Sequence, residues 1–138
     1  MKWVQKLFST LALTLVLAVA AQAQTQEILI GYSGPLSGLA AEYGQDVFNG
    51  IELAVNEINA AGGISVAGKK YSFKLERLDD RADPTQAVNN ARRLQSMGAV
   101  AVFNPVFNTS AAMMNINEEK DKEFLVMAFT STPRITDM

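Results

Sequence analysis

Four short apolar runs, with amphipathic helical periodicity in each gap between them, alternate along these 138 residues, and that rhythm constrains the fold more than any other feature. Glu27–Ser33 (EILIGYS) is rich in β-branched and aromatic residues and ends in Gly34-Pro35, so it reads as a strand entering a loop. From Gln45 to Ala60, Val47, Phe48, Ile51, Ala54, Val55 and Ile58 recur at i, i+3, i+4, i+7, the stripe of an amphipathic helix. Opposite it, Glu52, Asn56, Glu57 and Asn59 form a solvated face, and Gly62-Gly63 supplies the left-handed residue that a helix C-terminus favours.

Ile64–Ala67 and Tyr71–Leu75 flank Gly68-Lys69-Lys70, which predicts a hairpin leading into the second main strand, Tyr71–Leu78. Tyr71, Phe73, Leu75 and Arg77 alternate onto one face of it. Asp83-Pro84 then opens a helix: Asp accepts a backbone N–H bond at the N-cap, and Pro at the first position loses no hydrogen bond. Ala87, Val88, Ala91 and Leu94 trace that helix up to Gly98. Ala99–Phe103 (AVAVF) is too short for a helix and apolar throughout, as suits a parallel strand covered on both faces. A loop over 104–108, a helix over 109–120 with Ala112, Met113 and Ile116 inside, a strand over Phe124–Phe129 and a loop from Thr130 complete the order β-α-β-α-β-α-β. That order predicts an α/β fold, an open, doubly wound, mostly parallel sheet.

Composition narrows the chemistry. The chain has no Cys and no His, which removes disulfides, thiolate and imidazole metal sites, cysteine nucleophiles and any Ser-His-Asp triad. A net charge of −2 argues against a nucleic-acid partner, which needs a basic face. At the N-terminus, Lys2 and Lys6 precede an apolar run over Leu7–Ala21 and an Ala21-Gln22-Ala23 cleavage pattern, the build of a secretory signal peptide over 1–23. Its removal takes two of twelve basic residues and leaves ten against fourteen acidic ones, a net −4 over 24–138.

In a doubly wound sheet the ligand crevice lies outside the strand C-termini. Here those junctions are 34–44, 79–84, 104–110 and the loop opening with Thr130-Ser131-Thr132. Hydroxyls and the N–H groups of helix N-termini there favour a small carboxylate, with Tyr43 as an aromatic wall. Each feature also has a plainer explanation. Gly34, Pro35 and Gly38 shape a turn, while Asn108, Thr109 or Ser110 caps a helix. Asp83 is an N-cap, Asp79 and Asp80 are strand-end polar residues, and Met113 and Met114 serve packing. No Walker lysine follows the glycines, and the spacing of Gly31, Gly34 and Gly38 is wrong for a dinucleotide fingerprint, so no cofactor is expected.

IGYSGPLSG at 30–38, EYGQDVFNGIELAVNEINAAGGI at 42–64 and LDDRADPTQAVNNARRL at 78–94 resemble the type I periplasmic binding proteins, and most of all the leucine/isoleucine/valine-binding receptors of ABC importers. The resemblance implies a receptor of two α/β lobes joined by a hinge, of which 24–138 is a part of the first lobe. It implies no enzymatic activity, an extracytoplasmic (periplasmic) location, a membrane permease as partner, and capture of a small carboxylate-bearing ligand such as a branched-chain amino acid between the lobes. Tyr43 matches the family's first-loop aromatic. Asn108 and Thr109 fall at its serine-rich helix start, and Thr130 and Ser131 at its Ala-Thr pair. Departures at Asn108, an amide in place of a hydroxyl, and at the bulky Phe107 and Phe129 open the reading to aromatic acids or amides as ligands. The ectodomain of a membrane sensor is the alternative that shares this fold. Lobe closure is driven only by contacts to both walls, so one wall alone implies very weak binding against an association cost of ~4–15 kcal/mol.

Overall fold

The computed structural model describes residues 25–117, 123–130 and 132. Its elements are β1 (Gln26–Gly34), α1 (Ala41–Ala60), β2 (Ile64–Val66), β3 (Lys69–Asp79), α2 (Pro84–Ser96), β4 (Ala101–Asn104), α3 (Phe107–Asn117) and β5 (Leu125–Ala128). The five strands form one sheet in the order β2-β3-β1-β4-β5. β1 runs parallel to both β3 and β4, β5 is parallel to β4, and only the short β2 is antiparallel. The expected mixed α/β, mostly parallel sheet is therefore present. So is the hairpin, which turns at Ala67-Gly68 with both residues at positive φ.

The two faces are covered unequally. On one, α2 and α3 pack together over the sheet, and Ala87, Ala91, Leu94, Ala99, Val102, Met113, Ile116 and Phe124 form the core, with Leu29, Leu78 and Val126 against them. Those last three, with Val102, are the alternate residues of β1, β3, β5 and β4 that face this side. On the other face, among the described residues, α1 lies alone. The Phe48 ring meets Tyr32 edge-on at 5.4 Å, and the Arg77 guanidinium stacks over it at 4.9 Å. Phe73 and Arg77 thus share the face expected of them.

Several boundaries differ from the sequence reading, each for a local reason. α1 begins at Ala41 rather than Gln45. Its first turn, Ala-Glu-Tyr-Gly, carries no apolar periodicity, yet Gly44 is buried where a Cβ would overlap the Pro35 carbonyl, and the Tyr32 hydroxyl donates to the Gly44 carbonyl at 2.6 Å. β4 is shorter at its start and ends on Asn104, and α3 opens at Phe107 instead of Thr109. Asn59 is not simply solvated. Its amide donates to the Phe73 carbonyl at 2.7 Å and accepts the Phe73 N–H at 2.8 Å, pairing β3 where β2 has ended. Asp83 does cap α2, its carboxylate accepting the Gln86 N–H at 2.8 Å.

The signal-peptide expectation falls outside the described residues, as does the solvated end of the third helix from Glu118 onward. Among the described residues no helix is long and apolar enough to cross a membrane. Leu94 is fully buried at the centre of the α2/α3 core. Leu94→Ala is expected to lower unfolding free energy by about 2–5 kcal/mol, read as a lower urea midpoint; a loss below about 1 kcal/mol would show that this packing is not what holds α2 to the sheet.

Candidate functional site

Because β1, β3, β4 and β5 are parallel, the segments that follow them emerge along one edge of the sheet. β1 sits between β3 and β4, so the strand order reverses there, and the crevice of an open α/β sheet forms at that edge. A buried polar network fixes it. Asp80, wholly buried, accepts the Ser33 hydroxyl at 3.0 Å, the Asn104 amide at 3.0 Å and the Ala82 N–H at 2.9 Å. Asn104 also donates to the Ser33 carbonyl at 2.7 Å. Its own Oδ1 faces the Val106 N–H at 2.9 Å and the hydroxyls of Thr109 and Ser110 at 2.7 and 2.9 Å. An amide oxygen has two lone pairs for these three donors, and the Val106 carbonyl, 2.9 Å from the Thr109 hydroxyl, offers a second acceptor. Among the described residues no buried side-chain nitrogen or oxygen lacks a partner.

The neighbouring carboxylate faces the surface. Asp79 accepts the Leu36 N–H at 2.9 Å, the Ser37 hydroxyl at 2.5 Å and the Arg81 N–H at 2.9 Å, with the Arg81 guanidinium at 3.8 Å. Burial alone would raise its pKa, but the bonds from Ser37, Leu36 and Arg81 outweigh it and hold the carboxyl below its ordinary value. Asp80 goes the other way. Desolvation raises it, offset only in part by the bonds from Ala82, Ser33 and Asn104, and the Asp79 charge adds to the rise. Burial, followed by the Asp80, Tyr43 and Asp79 charges, likewise pushes the Tyr32 phenol up, so it stays a neutral donor to Gly44.

The residues singled out from the sequence are distributed around this network. Tyr43, in the first turn of α1 and 50% exposed, donates its hydroxyl to the Pro105 carbonyl at 3.1 Å, with the Phe129 carbonyl at 3.4 Å. It therefore brings the first, third and fourth junctions together. Asn108 is exposed on the opening turn of α3. The Thr109 side chain is buried and committed to Asn104 and Val106, which leaves its backbone N–H as the group to offer a ligand. Thr130 is half-buried just past β5, and Ser131 lies outside the described residues. The Phe129 ring stacks on Phe103 at 5.5 Å. Sequence reasoning gave no role to Ser33, to Asn104 within its junction, or to Asn90, whose amide donates to the Ser33 hydroxyl at 3.2 Å and to the Asp79 carbonyl at 3.1 Å, and gave Asp79 and Asp80 too small a role. The available signal was a single amide ending an otherwise apolar strand, beside two carboxylates ending its neighbour's neighbour.

A cavity lies elsewhere. It is an apolar groove of about 590 Å³ between α1 and the sheet, walled by Val47, Ile51, Ala54 and Ile58 on one side and Ile30, Phe73, Phe103 and Phe129 on the other. Among the described residues Asp46 is the one ionisable group on its walls, and its negative charge does not favour an anion there. Among the described residues no cluster of acidic side chains is arranged to hold a metal.

The opposed shifts of the two carboxylates have opposite signatures in stability. Asp80 binds its proton more tightly when folded, so its contribution is fully present below the unfolded value near pH ~4 and is lost as pH rises through the raised value. Asp79 contributes above that unfolded value and loses its share as pH falls through the depressed one. The urea midpoint from about pH 4 to about pH 7 is therefore expected to change more steeply, and downward, in the parent protein than in Asp80→Asn. Parallel curves would remove Asp80 as the source.

Comparison with known proteins places this geometry. A family model described as periplasmic binding protein matches residues 27–137. The Leu/Ile/Val-binding protein BraC3 of Rhizobium johnstonii is 35% identical over 128 residues, 92% of this chain and 34% of the relative. The crystal structure of a possible leucine/isoleucine/valine-binding protein from Rhodopirellula baltica SH 1 superposes with a TM-score of 0.71 at 28% identity, over 86% of this chain and 31% of the other. The branched-chain amino acid transporter substrate binding protein LivJ of Streptococcus pneumoniae, in complex with isoleucine, does so at 0.63 and 28%, over 77% of this chain and 30% of the other. The chain spans about a third of the length of the curated relatives it matches, and those relatives are binding proteins rather than enzymes. With a family model matching across almost every described residue, the chain belongs to the periplasmic binding protein family.

Proposed function

We propose that the polypeptide containing this chain is an exported receptor of an ABC importer, in which residues 24–138 form part of the first of two lobes. Its signal sequence occupies 1–23, and its partner is the importer's membrane permease. The receptor captures a small carboxylate-bearing solute, a branched-chain amino acid foremost. The observation that carries this reading is the Tyr43 hydroxyl reaching the Pro105 and Phe129 carbonyls, which gathers three strand-end junctions around the start of α3. The likeness to a substrate-binding protein in complex with isoleucine supports the ligand class.

The mechanism follows from the groups present. The first backbone N–H groups of an α-helix have no partner within the helix and sit at its positive end, so they suit an anion. At α3 those of Asn108 and Thr109 face the edge where the strands end, and the exposed Asn108 amide adds a side-chain donor. Thr130 and Ser131 supply a carbonyl and a hydroxyl for the ligand's ammonium end, and Tyr43 covers its apolar part. Closure of a second lobe then excludes water and strengthens each of these bonds.

Calorimetry of the full-length polypeptide against leucine, isoleucine, valine, benzoate and leucinamide tests the reading. Leucine is expected to bind, and leucinamide at least about a hundredfold more weakly, since two bonds to a charged group are worth ~1.5–3 kcal/mol each. Equal binding of the two would overturn the carboxylate assignment, and a preference for benzoate would transfer the site to aromatic acids. Tyr43→Ala and Asn108→Ala are each expected to cost about tenfold in affinity; an unchanged value for either removes that residue from the site.

A further inference from the structure

We propose that Asp79 is a positioning residue of the ligand site: its carboxylate sets the loop after β1, and through that loop the place of Tyr43. The proposal rests on the receptor function proposed above. In the β1–β3 register Asp79 stands opposite Gly34, the last residue that the sheet holds. Beyond it the chain crosses to Ala41 with few backbone bonds of its own: the Gly34 carbonyl takes the Asp80 N–H at 3.0 Å, and the Gly38 carbonyl takes the Ala41 N–H at 3.3 Å. Between these anchors, one carboxylate holds both the Leu36 N–H and the Ser37 hydroxyl. It also accepts the N–H of Arg81, a residue at positive φ, and so ties the first junction to the second.

Gly38, at φ 80, then reverses the chain, exposes Leu39 completely and delivers Tyr43 to its two carbonyl partners. Cutting that side chain back leaves the loop to the Pro35–Gly44 contact alone, because among the described residues no second partner takes over the Leu36 N–H. Asp79 lies outside the α2/α3 core and is partly exposed, so its replacement leaves the fold's main packing intact.

The experiment uses the full-length polypeptide and its Asp79→Ala, Asp79→Asn and Arg81→Ala variants. Affinity is measured calorimetrically for leucine, isoleucine, valine and benzoate, and backbone hydrogen exchange is followed over residues 36–44. Asp79→Ala is expected to weaken the bound solute about tenfold or more, with a smaller drop in melting temperature than Leu94→Ala. Exchange is expected to rise not only at Leu36 but also at Tyr43 and Gly44, whose amides do not touch Asp79. Asp79→Asn keeps an oxygen for the Leu36 N–H and is expected to stay within about threefold of the parent, while Arg81→Ala binds as the parent does. Parent-like affinity in Asp79→Ala, or an equal loss in Asp79→Asn, overturns the proposal. If the parent binds none of the four solutes, the receptor reading fails by itself. Exchange then decides the positioning role, and unchanged protection of Tyr43 and Gly44 in Asp79→Ala refutes it.

Discussion

A carboxylate sealed among neutral donors, with no cation beside it among the described residues, ties together the edge of the sheet where the parallel strands end. Asp80 gathers a hydroxyl from β1, an amide from β4 and a backbone N–H from its own turn. Burying a charge is costly unless it is hydrogen-bonded, so each of those donors must stay where it is. That requirement propagates. Asn104, fixed by Asp80, in turn fixes the opening of α3 through Val106, Thr109 and Ser110, and its carbonyl takes the Phe129 N–H at the end of β5. Four parallel strands thereby end in a common frame rather than in four independent loops.

The adjacent pair Asp79-Asp80 divides two tasks by simple alternation. One side chain turns inward and is raised by desolvation; the other turns outward and is lowered by its donors. The inner one fixes strands to each other, the outer one fixes a loop to the strands. A dipeptide at the end of a single strand thus determines both the base of the site and the path of the segment that crosses it.

The helix-and-strand order and the doubly wound sheet were legible because periodicity reports burial directly: Leu94, Val102 and Met113 sit where their spacing put them. The Asp83 cap and the hairpin at Ala67-Gly68 were legible because turn and cap chemistry is local. Helix starts were less so. Gly44 draws α1 four residues earlier through its contact with Pro35, which is distant in pattern though near in sequence. The polar network was not legible at all, since Ser33, Asp80 and Asn104 are separated by 47 and 24 residues and meet only once the strand order is known. Of the candidate site, Tyr43 stood out as an aromatic in a glycine-bounded loop, whereas nothing in the sequence shows that the Thr109 hydroxyl turns inward.

The stripe along α1 is only partly covered, and its far side opens onto Phe103 and Phe129. Next to it Leu125 and Met127 stand on β5 at 60% and 37% exposure, on the outermost strand of the sheet among the described residues. A bare strand edge templates pairing with another chain, and apolar side chains beside it strengthen the attraction. Among the described residues this flank is therefore the sticky one. Anything that delays its burial exposes the chain to clumping.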